Sequence, residues 1–359
     1  MFKKVLAIET SCDDTSVALV GPDGFVHRVI SANQDSAHAP YGGIVPEIAC
    51  RNHTAQLLPL VDQLLTESNT TWESIDGLVV TNRPGLVGSL IVGVVGAKTL
   101  ALCHQKPVIG INHLEGHILA PFLFDEINQK QNLQFPYVAL AVSGGHTTLY
   151  HVKSLGDYAI LGSTLDDAAG EAFDKFAKLI GLGFPGGLKV DQTARSGNPK
   201  AYAFPRALAK EDNLQMSFSG LKSASSRLWD SLSEKERSEN LPDLCASFQE
   251  AVVDALLIKL ERAVEDLHLN SVVITGGVSA NSRLRAKAQE LSKAKKWNLF
   301  IPPIKYCTDN AAMIGYAGIQ RFLRGEKDDM SMGPSPRVAA TDFLEGSLKK
   351  GRQARVKKS

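Results

Sequence analysis

Residues 137–152 have the sequence Tyr137-Val138-Ala139-Leu140-Ala141-Val142-Ser143-Gly144-Gly145-His146-Thr147-Thr148-Leu149-Tyr150-His151-Val152, and this stretch decides the fold. An apolar run, a polar turn with two glycines and a second run predict two buried strands joined by a short turn. The same plan occurs near the N-terminus, where Val5 to Glu9 and Ser16 to Val20 enclose the polar turn Thr10 to Thr15. Two such units, each opening about half of the chain, predict a duplicated two-domain architecture.

Helical and strand patterns alternate between and after these two units, which is typical of an α/β fold. In the first half we expect a helix over Thr54 to Glu67, a strand over Gly77 to Thr81, a helix over Gly85 to Leu102, a strand over Pro107 to Ile111 and a polar linker over Asn128 to Gln134. In the second half we expect helices over Ala168 to Ile180 and Leu241 to Leu267, a loop over Gly181 to Gly187, a strand over Ser271 to Thr275 and a last core helix over Asp309 to Ile319.

These patterns predict the division of the chain. We expect an N-terminal domain over 1–134, rejoined by a C-terminal helix over about 310–345, and a second domain over 135–309. Residues 346–359 form a basic segment without an acidic side chain, which we expect to be disordered. Such a tail can bind phosphate backbones, but a solvated tail without a partner is the alternative.

Composition indicates a soluble globular protein. The chain has 359 residues, of which 44% are hydrophobic and 21% charged, and its formal net charge of +1 gives no overall attraction to nucleic acid. The five cysteines are scattered and form no C-x-x-C pair, which favours reduced thiols and a cytoplasmic protein. The glycine-containing apolar run from Leu86 to Ala97 is too short to span a bilayer, so we expect no membrane association.

The sequence Ile111-Asn112-His113-Leu114-Glu115-Gly116-His117 carries two histidines four positions apart. Each residue advances a helix by about 100°, so both imidazoles lie on one side and can reach one metal ion. A third ligand must come from elsewhere in the fold, and Thr308-Asp309-Asn310 offers a carboxylate. Two histidines and one carboxylate leave positions open for water or substrate, which suits iron or zinc. A pair of histidines that binds no metal is the alternative that the spacing leaves open.

Glu115 excludes one class of metalloenzyme. In the H-E-x-x-H motif of zinc proteases the glutamate immediately follows the first histidine. Here Glu115 comes two residues after His113, about 200° round the helix, and therefore faces away from the metal. A protease of this type is disfavoured.

Two glycine-rich turns follow predicted strands. Ser143-Gly144-Gly145 and Gly276-Gly277 allow backbone N–H groups to approach a phosphate, and Asn281 opens a helix after the second turn. Paired turns of this kind suit a nucleotide, although most glycine pairs after strands are merely tight turns. Asp174 and Asp191 flank the Pro185-Gly186-Gly187 loop and could accept hydrogen bonds from ribose hydroxyls, or be solvated surface groups. Neither a P-loop nor a G-x-G-x-x-G motif is present.

Taken in order, the motifs resemble those of the tRNA N6-adenosine threonylcarbamoyltransferases, the TsaD-like family once labelled O-sialoglycoprotein endopeptidase. The resemblance covers roughly residues 3 to 325. It is carried by Glu9-Thr10-Ser11-Cys12-Asp13, His113-Leu114-Glu115-Gly116-His117, Ser143-Gly144-Gly145-His146, Gly170-Glu171-Ala172-Phe173-Asp174, Pro185-Gly186-Gly187, Ser217-Phe218-Ser219-Gly220-Leu221-Lys222, Gly276-Gly277-Val278-Ser279-Ala280-Asn281 and Thr308-Asp309-Asn310-Ala311-Ala312.

The resemblance implies a fold and a set of site residues. It implies duplicated ribonuclease-H-like domains of the actin, heat-shock chaperone and sugar-kinase superfamily, with the active cleft between the two lobes. His113, His117 and Asp309 match the metal ligands of the family, and the metal, one per subunit, is expected to be Fe²⁺, with Zn²⁺ as the alternative. The positions that match contacts to the adenylate substrate are Ala141, Val142, Ser143, Gly144, Gly145, Asp174, Gly187, Asp191 and Asn281.

The resemblance also implies a reaction and partners. A threonylcarbamoyl group moves from threonylcarbamoyl-AMP to the N6 amine of the adenine 3′ of the anticodon, in tRNAs that read codons beginning with A. Similar bacterial proteins work with a catalytically degenerate paralogue and a small P-loop ATPase. His146 is the candidate general base, with a structural role in its turn as the alternative. A small-molecule kinase or ATPase of the same superfamily is the competing function, but it would not need the two histidines and the distant aspartate.

Two positions depart from the usual family pattern. The family usually has Ala-Gly-Pro-Gly-Leu where this chain has Asn82-Arg83-Pro84-Gly85-Leu86, and we expect this change to alter the surface near the site or the partner contacts. Leu188 stands where the family commonly has proline, and we expect it to loosen the loop that contains Gly187.

Overall fold

The computed structural model describes residues 2–338 and 342–345 of the chain. The predicted basic tail over 346–359 lies outside the described residues. The first sheet consists of β1 (Val5–Glu9), β2 (Thr15–Val20), β3 (Val26–Ala32), β4 (Gly77–Arg83) and β5 (Val108–Asn112). The strand order is β3-β2-β1-β4-β5, in which the β3-β2-β1 meander is antiparallel and β1, β4 and β5 are parallel.

The second sheet repeats this topology. Its strands are β6 (Tyr137–Val142), β7 (Thr147–Ser154), β8 (Asp157–Ser163), β9 (Ser271–Thr275), β10 (Asn298–Phe300) and β11 (Leu344–Glu345). The order is β10-β9-β6-β7-β8-β11, with an antiparallel β6-β7-β8 meander and parallel β6, β9 and β10. The first five strands therefore match β6 to β10 in order and direction, and only β11 has no counterpart in the first sheet. The predicted duplication is confirmed.

Helices connect the strands and cover the sheets. Along the chain they are α1 (Asp35–His38), α2 (Pro46–Glu67), α3 (Val87–Cys103), α4 (His113–Leu119), α5 (Ala169–Leu179), α6 (Gly186–Ala194), α7 (Ser219–Ser231), α8 (Glu234–Glu239), α9 (Leu241–Leu267), α10 (Ser282–Lys295) and α11 (Ala311–Leu323). Among the described residues, no helix has both the length and the apolar character that crossing a bilayer requires.

The central strands β1 and β6 are buried on both faces, since all their residues are buried and successive side chains point to opposite faces. On β1, Leu6 and Ile8 pack in a core with α2 and α3, whereas Val5 and Ala7 face a second core that contains α4 and α11. On β6, alternate residues likewise divide between a core with α5 and α9 and the same second core. The helices α4 and α11 therefore lie in a layer shared by the two sheets, and this layer carries the predicted metal ligands.

Some helix and strand boundaries agree with the sequence-based prediction and others differ from it. Helix α9 and strand β9 have the predicted bounds. Helix α2 begins at Pro46 rather than Thr54, because a proline in the first turn loses no helical hydrogen bond. Helix α6 begins at Gly186, inside the predicted Gly181 to Gly187 loop.

The C-terminal segment is not the long helix expected over about 310–345. Helix α11 ends at Leu323, and Gly325 follows with φ +82°, a left-handed conformation that glycine adopts without strain and that commonly ends helices. The chain then runs along β5, where Asp328 N–H donates to Val108 O at 3.0 Å. It finally joins the second sheet as β11, parallel to β8.

Candidate active site

The two histidines and the distant aspartate lie together between the sheets. His113 is the first residue of α4, directly after β5, and His117 follows one turn later. Asp309 precedes α11 by two residues. Asp309 Oδ1 lies 3.4 Å from His113 Nε2 and 3.1 Å from His117 Nε2, although 192 residues separate His117 from Asp309 in sequence. Helical spacing accounts for the histidine pair, and the shared helix layer places the aspartate beside it.

The three side chains have the chemistry and spacing of a metal site. A potential ligand atom of each lies within 4.8 Å of the others, and both histidines are buried. Metals such as zinc bind nitrogen and oxygen ligands at about 2.0–2.2 Å, which places neighbouring ligand atoms roughly 3.0–3.5 Å apart. The distances from Asp309 to both imidazoles fall in this range. These three residues could therefore hold one metal ion.

Glu9 and Ser11 hold His113 from its other side. Glu9 Oε2 and Ser11 Oγ both lie 3.1 Å from His113 Nδ1. A carboxylate in this position fixes the orientation of the ring and leaves Nε2 directed at Asp309. No role for either side chain was predicted from the sequence. The available signal was an acidic side chain at the end of a buried apolar strand, since Glu9 is only 1% exposed.

Charge interactions are strong within this cluster. Burial lowers the pKa of His113, but the carboxylates of Asp309 and Glu9 outweigh burial and raise it well above its usual value. Burial raises the pKa of Asp309, and the opposing charge of His113 holds it well below its usual value. These opposing charges favour the protonated form of His113 between the two carboxylates.

Glu115 faces away from the pair of histidines, as predicted. Its carboxylate accepts a hydrogen bond from Tyr158 Oη at 3.0 Å and forms an ion pair with Arg321 Nη2 at 2.7 Å. The Glu115 carboxylate binds these two partners on the opposite side of α4, so it cannot activate a water bound at His113 and His117. The geometry therefore argues against a zinc protease.

The two glycine-rich turns lie side by side. They follow β6 and β9, which are parallel neighbours with Ala141 opposite Thr275. Gly276 approaches Val142 so closely that a Cβ atom would collide with the carbonyl oxygen, which explains why glycine is required there. Thr275 Oγ1 donates to His117 O at 2.8 Å, so the strand that leads into the second turn also contacts the helix with the histidines.

The turn after β6 is open toward solvent. Ala141 and Val142 are buried, Ser143 is half-buried, and Gly144 and Gly145 are exposed. Added Cβ atoms at Gly144 and Gly145 would meet no protein atom within 4 Å. The N-terminus of α5 closes on this turn, where Gly170 N–H donates to Ser143 O at 3.2 Å. Exposed backbone N–H groups beside a helix N-terminus favour an anion.

The remaining predicted contact residues have structural partners of their own. Asp174 Oδ1 accepts a hydrogen bond from Gly186 N–H at 2.8 Å at the start of α6, next to Gly187. Asp191 is buried and accepts hydrogen bonds from the N–H and hydroxyl of Ser282 at the start of α10. These carboxylates are therefore helix-capping groups rather than solvated surface residues.

Asn281 is the N-cap of α10. Its side-chain oxygen accepts a hydrogen bond from Leu284 N–H at 3.0 Å, and its Nδ2 donates to Gln249 Oε1 at 2.7 Å. His146 is half-buried and closes its turn: its N–H donates to Ser143 Oγ at 3.1 Å, and its carbonyl oxygen accepts from Ser143 N–H at 2.8 Å. Burial, together with the charges of His113 and His117, lowers the pKa of His146 to about 4. His146 is therefore neutral at physiological pH and lies near enough to the histidine pair to feel its charge.

A comparison with protein families identifies the group to which the chain belongs. The model of the family TsaD, tRNA N6-adenosine threonylcarbamoyltransferase, matches residues 26–316. The chain belongs to this family. Family members of the same name include a protein of Bdellovibrio bacteriovorus, 57% identical over 96% of this chain and 100% of its own length. Another, from Anaeromyxobacter dehalogenans, is 48% identical over 93% of this chain and 98% of its own length. The chain is accordingly a transferase of the tRNA-modifying class.

Solved structures support the fold class of the family. Component A of (R)-2-hydroxyglutaryl-CoA dehydratase from Acidaminococcus fermentans superposes with a TM-score of 0.52 at 13% identity, covering 89% of this chain and 99% of its own. Full-length HypF superposes with a TM-score of 0.59 at 13% identity, covering 90% of this chain and 56% of its own. With the repeated sheets, these similarities support a duplicated α/β fold.

The two departures from the family pattern do not act as expected. Arg83 does not alter an exposed surface: its side chain is 18% exposed and forms an ion pair with Asp342, which is 6% exposed. Leu188 lies in the first turn of α6 and not in a loop, and its side chain is 61% exposed. Arg83 therefore connects the segment Asn82 to Leu86 with the C-terminal segment. Leu188 is a surface residue of a helix.

Proposed function

We propose that this chain transfers the threonylcarbamoyl group of threonylcarbamoyl-AMP to the N6 amine of the adenine 3′ of the anticodon in tRNAs that read codons beginning with A. The observation that carries the proposal is the junction of the two candidate sites. The histidine pair and Asp309 on one side, and the glycine turns on the other, meet where Thr275 binds the backbone of His117. A metal and the phosphate of an adenylate can therefore be held next to each other.

In this reaction the adenine amine attacks the carbamoyl carbon, the bond from that carbon to the adenylate oxygen breaks, AMP leaves and the amine loses a proton. The adenylate is already activated, so the enzyme has to position both substrates and stabilise charge on the leaving phosphate. We assign phosphate binding to the backbone N–H groups of Gly144 and Gly145, supported by the N-terminus of α5. Asp174, Gly187, Asp191 and Asn281 shape the nucleotide site through the helix ends that they form or cap.

The proposed metal is one Fe²⁺ per chain, held by His113, His117 and Asp309, with Zn²⁺ as the alternative. The donor set supports it, because two imidazoles and one carboxylate suit both ions. When bound, such an ion supplies Lewis-acid stabilisation of negative charge on the substrate. Glu9 and Ser11 orient His113 for this role. His146 is the candidate proton acceptor, since its imidazole is neutral at physiological pH.

The proposed partners are tRNA, threonylcarbamoyl-AMP, a degenerate paralogue and a small P-loop ATPase. The resemblance implies them, and one surface supports a protein partner. Along α3, Val87, Ile91, Val95 and Leu102 are 46–70% exposed, and spacings of four and seven residues place them on one helix face. We call these four residues the α3 stripe. An exposed apolar stripe of this kind is typical of a protein interface.

We also place the protein in the cytoplasm, where thiols remain reduced. All five cysteines lie in the described residues, and each is a free thiol. The small-molecule kinase or ATPase alternative is not favoured, because the family match and the full-length relatives carry a transferase name.

Depletion of the protein in its own cell tests the function. Mass spectrometry of tRNA nucleosides should show that threonylcarbamoyladenosine disappears and unmodified adenosine rises in its place. A plasmid copy of the wild-type chain should restore the modified nucleoside, whereas a copy with His113→Ala should not. Unchanged threonylcarbamoyladenosine after depletion would overturn the proposal.

A further inference from the structure

The C-terminal segment is tied to the ends of β4 and β5 by one buried carboxylate. Arg83 Nε donates to Asp342 Oδ2 at 2.7 Å, and Arg83 Nη2 contacts the other oxygen of the same carboxylate. This two-point contact is the geometry in which arginine binds a carboxylate most strongly. The Asp342 side chain is 6% exposed, so the ion pair is largely shielded from water and from screening by salt.

The same carboxylate also binds the N-cap of the helix that carries the histidines. Asn112 Nδ2 donates to Asp342 Oδ2 at 2.9 Å. Asn112 Oδ1 accepts the hydrogen bond from Leu114 N–H at 2.8 Å that caps α4. Arg83 and Asn112 are direct partners in the pairing of the parallel strands β4 and β5. Asp342 therefore fixes the orientation of the whole Asn112 amide. When Nδ2 donates to Asp342, Oδ1 on the other side of the amide points toward α4, where it caps the helix.

The orientation of Asn112 matters because His113 is the next residue. The backbone at Asn112 turns from extended strand into helix, and the direction of this turn determines where the His113 ring lies relative to Asp309. Metal ligands must keep their distances to the ion within about 0.2 Å. A small rotation at the start of α4 is therefore enough to weaken a site built on His113.

We propose that Asp342, held by Arg83, is a positioning residue for the metal site and acts through the side chain of Asn112. The inference rests on the proposed metal binding by His113, His117 and Asp309. It assigns to the C-terminal segment, which lies more than 200 residues after α4 in sequence, a role in setting the geometry of the site.

The test distinguishes two roles of Asn112: its hydrogen bond to Asp342, which we call the tether, and its capping of α4. Asn112→Ser retains an oxygen that can cap α4 but removes the amide group that binds Asp342. Asp342→Ala removes the tether and leaves Asn112 intact. Asp254→Ala is the matched control, because Asp254 also binds an arginine, Arg206, through two nitrogens, but on α9. Each variant of the full chain is titrated with Co²⁺, whose d–d absorption reports both affinity and coordination, and the melting temperature of the metal-free form is measured in parallel.

Asn112→Ser and Asp342→Ala should each weaken Co²⁺ binding at least about tenfold and change the d–d spectrum. The double variant should bind Co²⁺ no more weakly than whichever single variant binds it less tightly. Both substitutions break the same hydrogen bond, the one between Asn112 and Asp342. Asp254→Ala should bind Co²⁺ as the wild type does. Wild-type affinity and spectrum in Asn112→Ser and Asp342→Ala, whatever their melting temperatures, would overturn the inference. A wild-type chain that binds no Co²⁺ would instead overturn the metal site itself.

Discussion

Glu9 lies beside the proposed metal ligands His113, His117 and Asp309 and contacts the first of them. Its carboxylate approaches His113 Nδ1 and also receives the backbone N–H of Ser11 and the hydroxyl of Thr81. Burial raises the pKa of Glu9, but the positive charge of His113 outweighs burial and lowers it. The carboxylate is thus held ionised, in a fixed position, against the imidazole. This arrangement makes a prediction about metal affinity.

Glu9→Gln keeps the size of the side chain and removes its charge. We expect the affinity for Zn²⁺ to fall roughly 10- to 100-fold, because partners that orient a ligating histidine typically contribute this much. Competition with a chromogenic chelator measures the affinity. Glu67→Gln, at a surface ion pair with Arg28, serves as the control and should leave it unchanged. An unaltered Zn²⁺ affinity in Glu9→Gln would show that the carboxylate has no part in the site.

His113→Ala tests the triad itself. Removing one of three ligands should abolish stoichiometric metal binding, while the folded domains persist because the rest of α4 and its core remain. Elemental analysis of the purified protein measures the metal. His27→Ala is the matched control, since His27 lies exposed on β3, and it should retain the metal. Full occupancy in His113→Ala would refute the assignment of His113 as a ligand.

At this scale the sequence predicted part of the site. Helical spacing was enough to pair His113 with His117, and a carboxylate was expected from the segment around Asp309. The contribution of Glu9 could not be predicted, because 104 residues separate it from His113 and no local pattern joins them. The role of Asp191 as a cap was missed for a similar reason, since it depends on where α10 begins, whereas the position of Asn281 at the start of that helix was predicted.

At the scale of elements, the turn after β6 and the start of α5 form one unit. Gly170 fits against the Ser143–Gly144 backbone where a Cβ atom would collide with it. The turn is thus packed on its inner side and open on its outer side at Gly144 and Gly145. An anion bound there would occupy the open side.

Gly144→Val places a branched side chain in that open space. Because a Cβ at Gly144 meets no protein atom within 4 Å, the protein should fold normally. Nucleotide affinity, measured by calorimetry with AMP, should fall more than tenfold, a loss of more than about 1.4 kcal/mol. Gly333→Val is the control, since a Cβ at Gly333 also meets no atom, and it should bind AMP as the wild type does. Unchanged binding in Gly144→Val would mean that the turn has only a structural role.

Elements with strong periodicity were the most predictable. The 27-residue helix α9 has the predicted bounds because its apolar positions recur along its whole length. Short elements whose sequence is mixed were less predictable: β3 was not predicted, and for α10 only the start at Asn281 was. Strand β3 is mostly exposed and α10 is rich in charged residues, so neither has the apolar pattern of a buried element. Helix α6 was missed because its first residues are two glycines, which usually indicate a loop.

At the scale of the whole molecule, duplication creates the site. The carboxyl ends of the parallel strands of both sheets approach the shared layer of α4 and α11, and each sheet contributes its own chemistry. The first sheet leads through β5 into the histidines, and the second leads through β6 and β9 into the glycine turns. The repeated sequence pattern predicted the two sheets. The path of the chain after α11 was not predicted, because it depends on the turn at Gly325 and on the pairing of β11 with β8, which is distant in sequence.

The α3 stripe makes a prediction about assembly. Val95→Asp introduces a charge at the centre of the stripe, at a side chain that is 56% exposed, so the fold should be unaffected. Association with a co-expressed paralogue, measured by sedimentation, should weaken at least tenfold because a buried unpaired carboxylate is costly. Ile127→Asp, at an 86% exposed residue outside the stripe, should leave association intact. Equal association of the two variants would exclude the stripe as the interface.

The most direct test of the proposed function is transfer with purified components. The chain, supplied with metal and its partner subunits, is mixed with threonylcarbamoyl-AMP labelled in the threonine and an unmodified tRNA that reads codons beginning with A. A second tRNA has guanosine in place of the adenosine 3′ of the anticodon and therefore lacks the N6 amine. We expect label to enter the first tRNA and not the second, and His113→Ala to abolish incorporation. Label in both tRNAs, or in neither while threonylcarbamoyl-AMP remains intact, would contradict the proposed function.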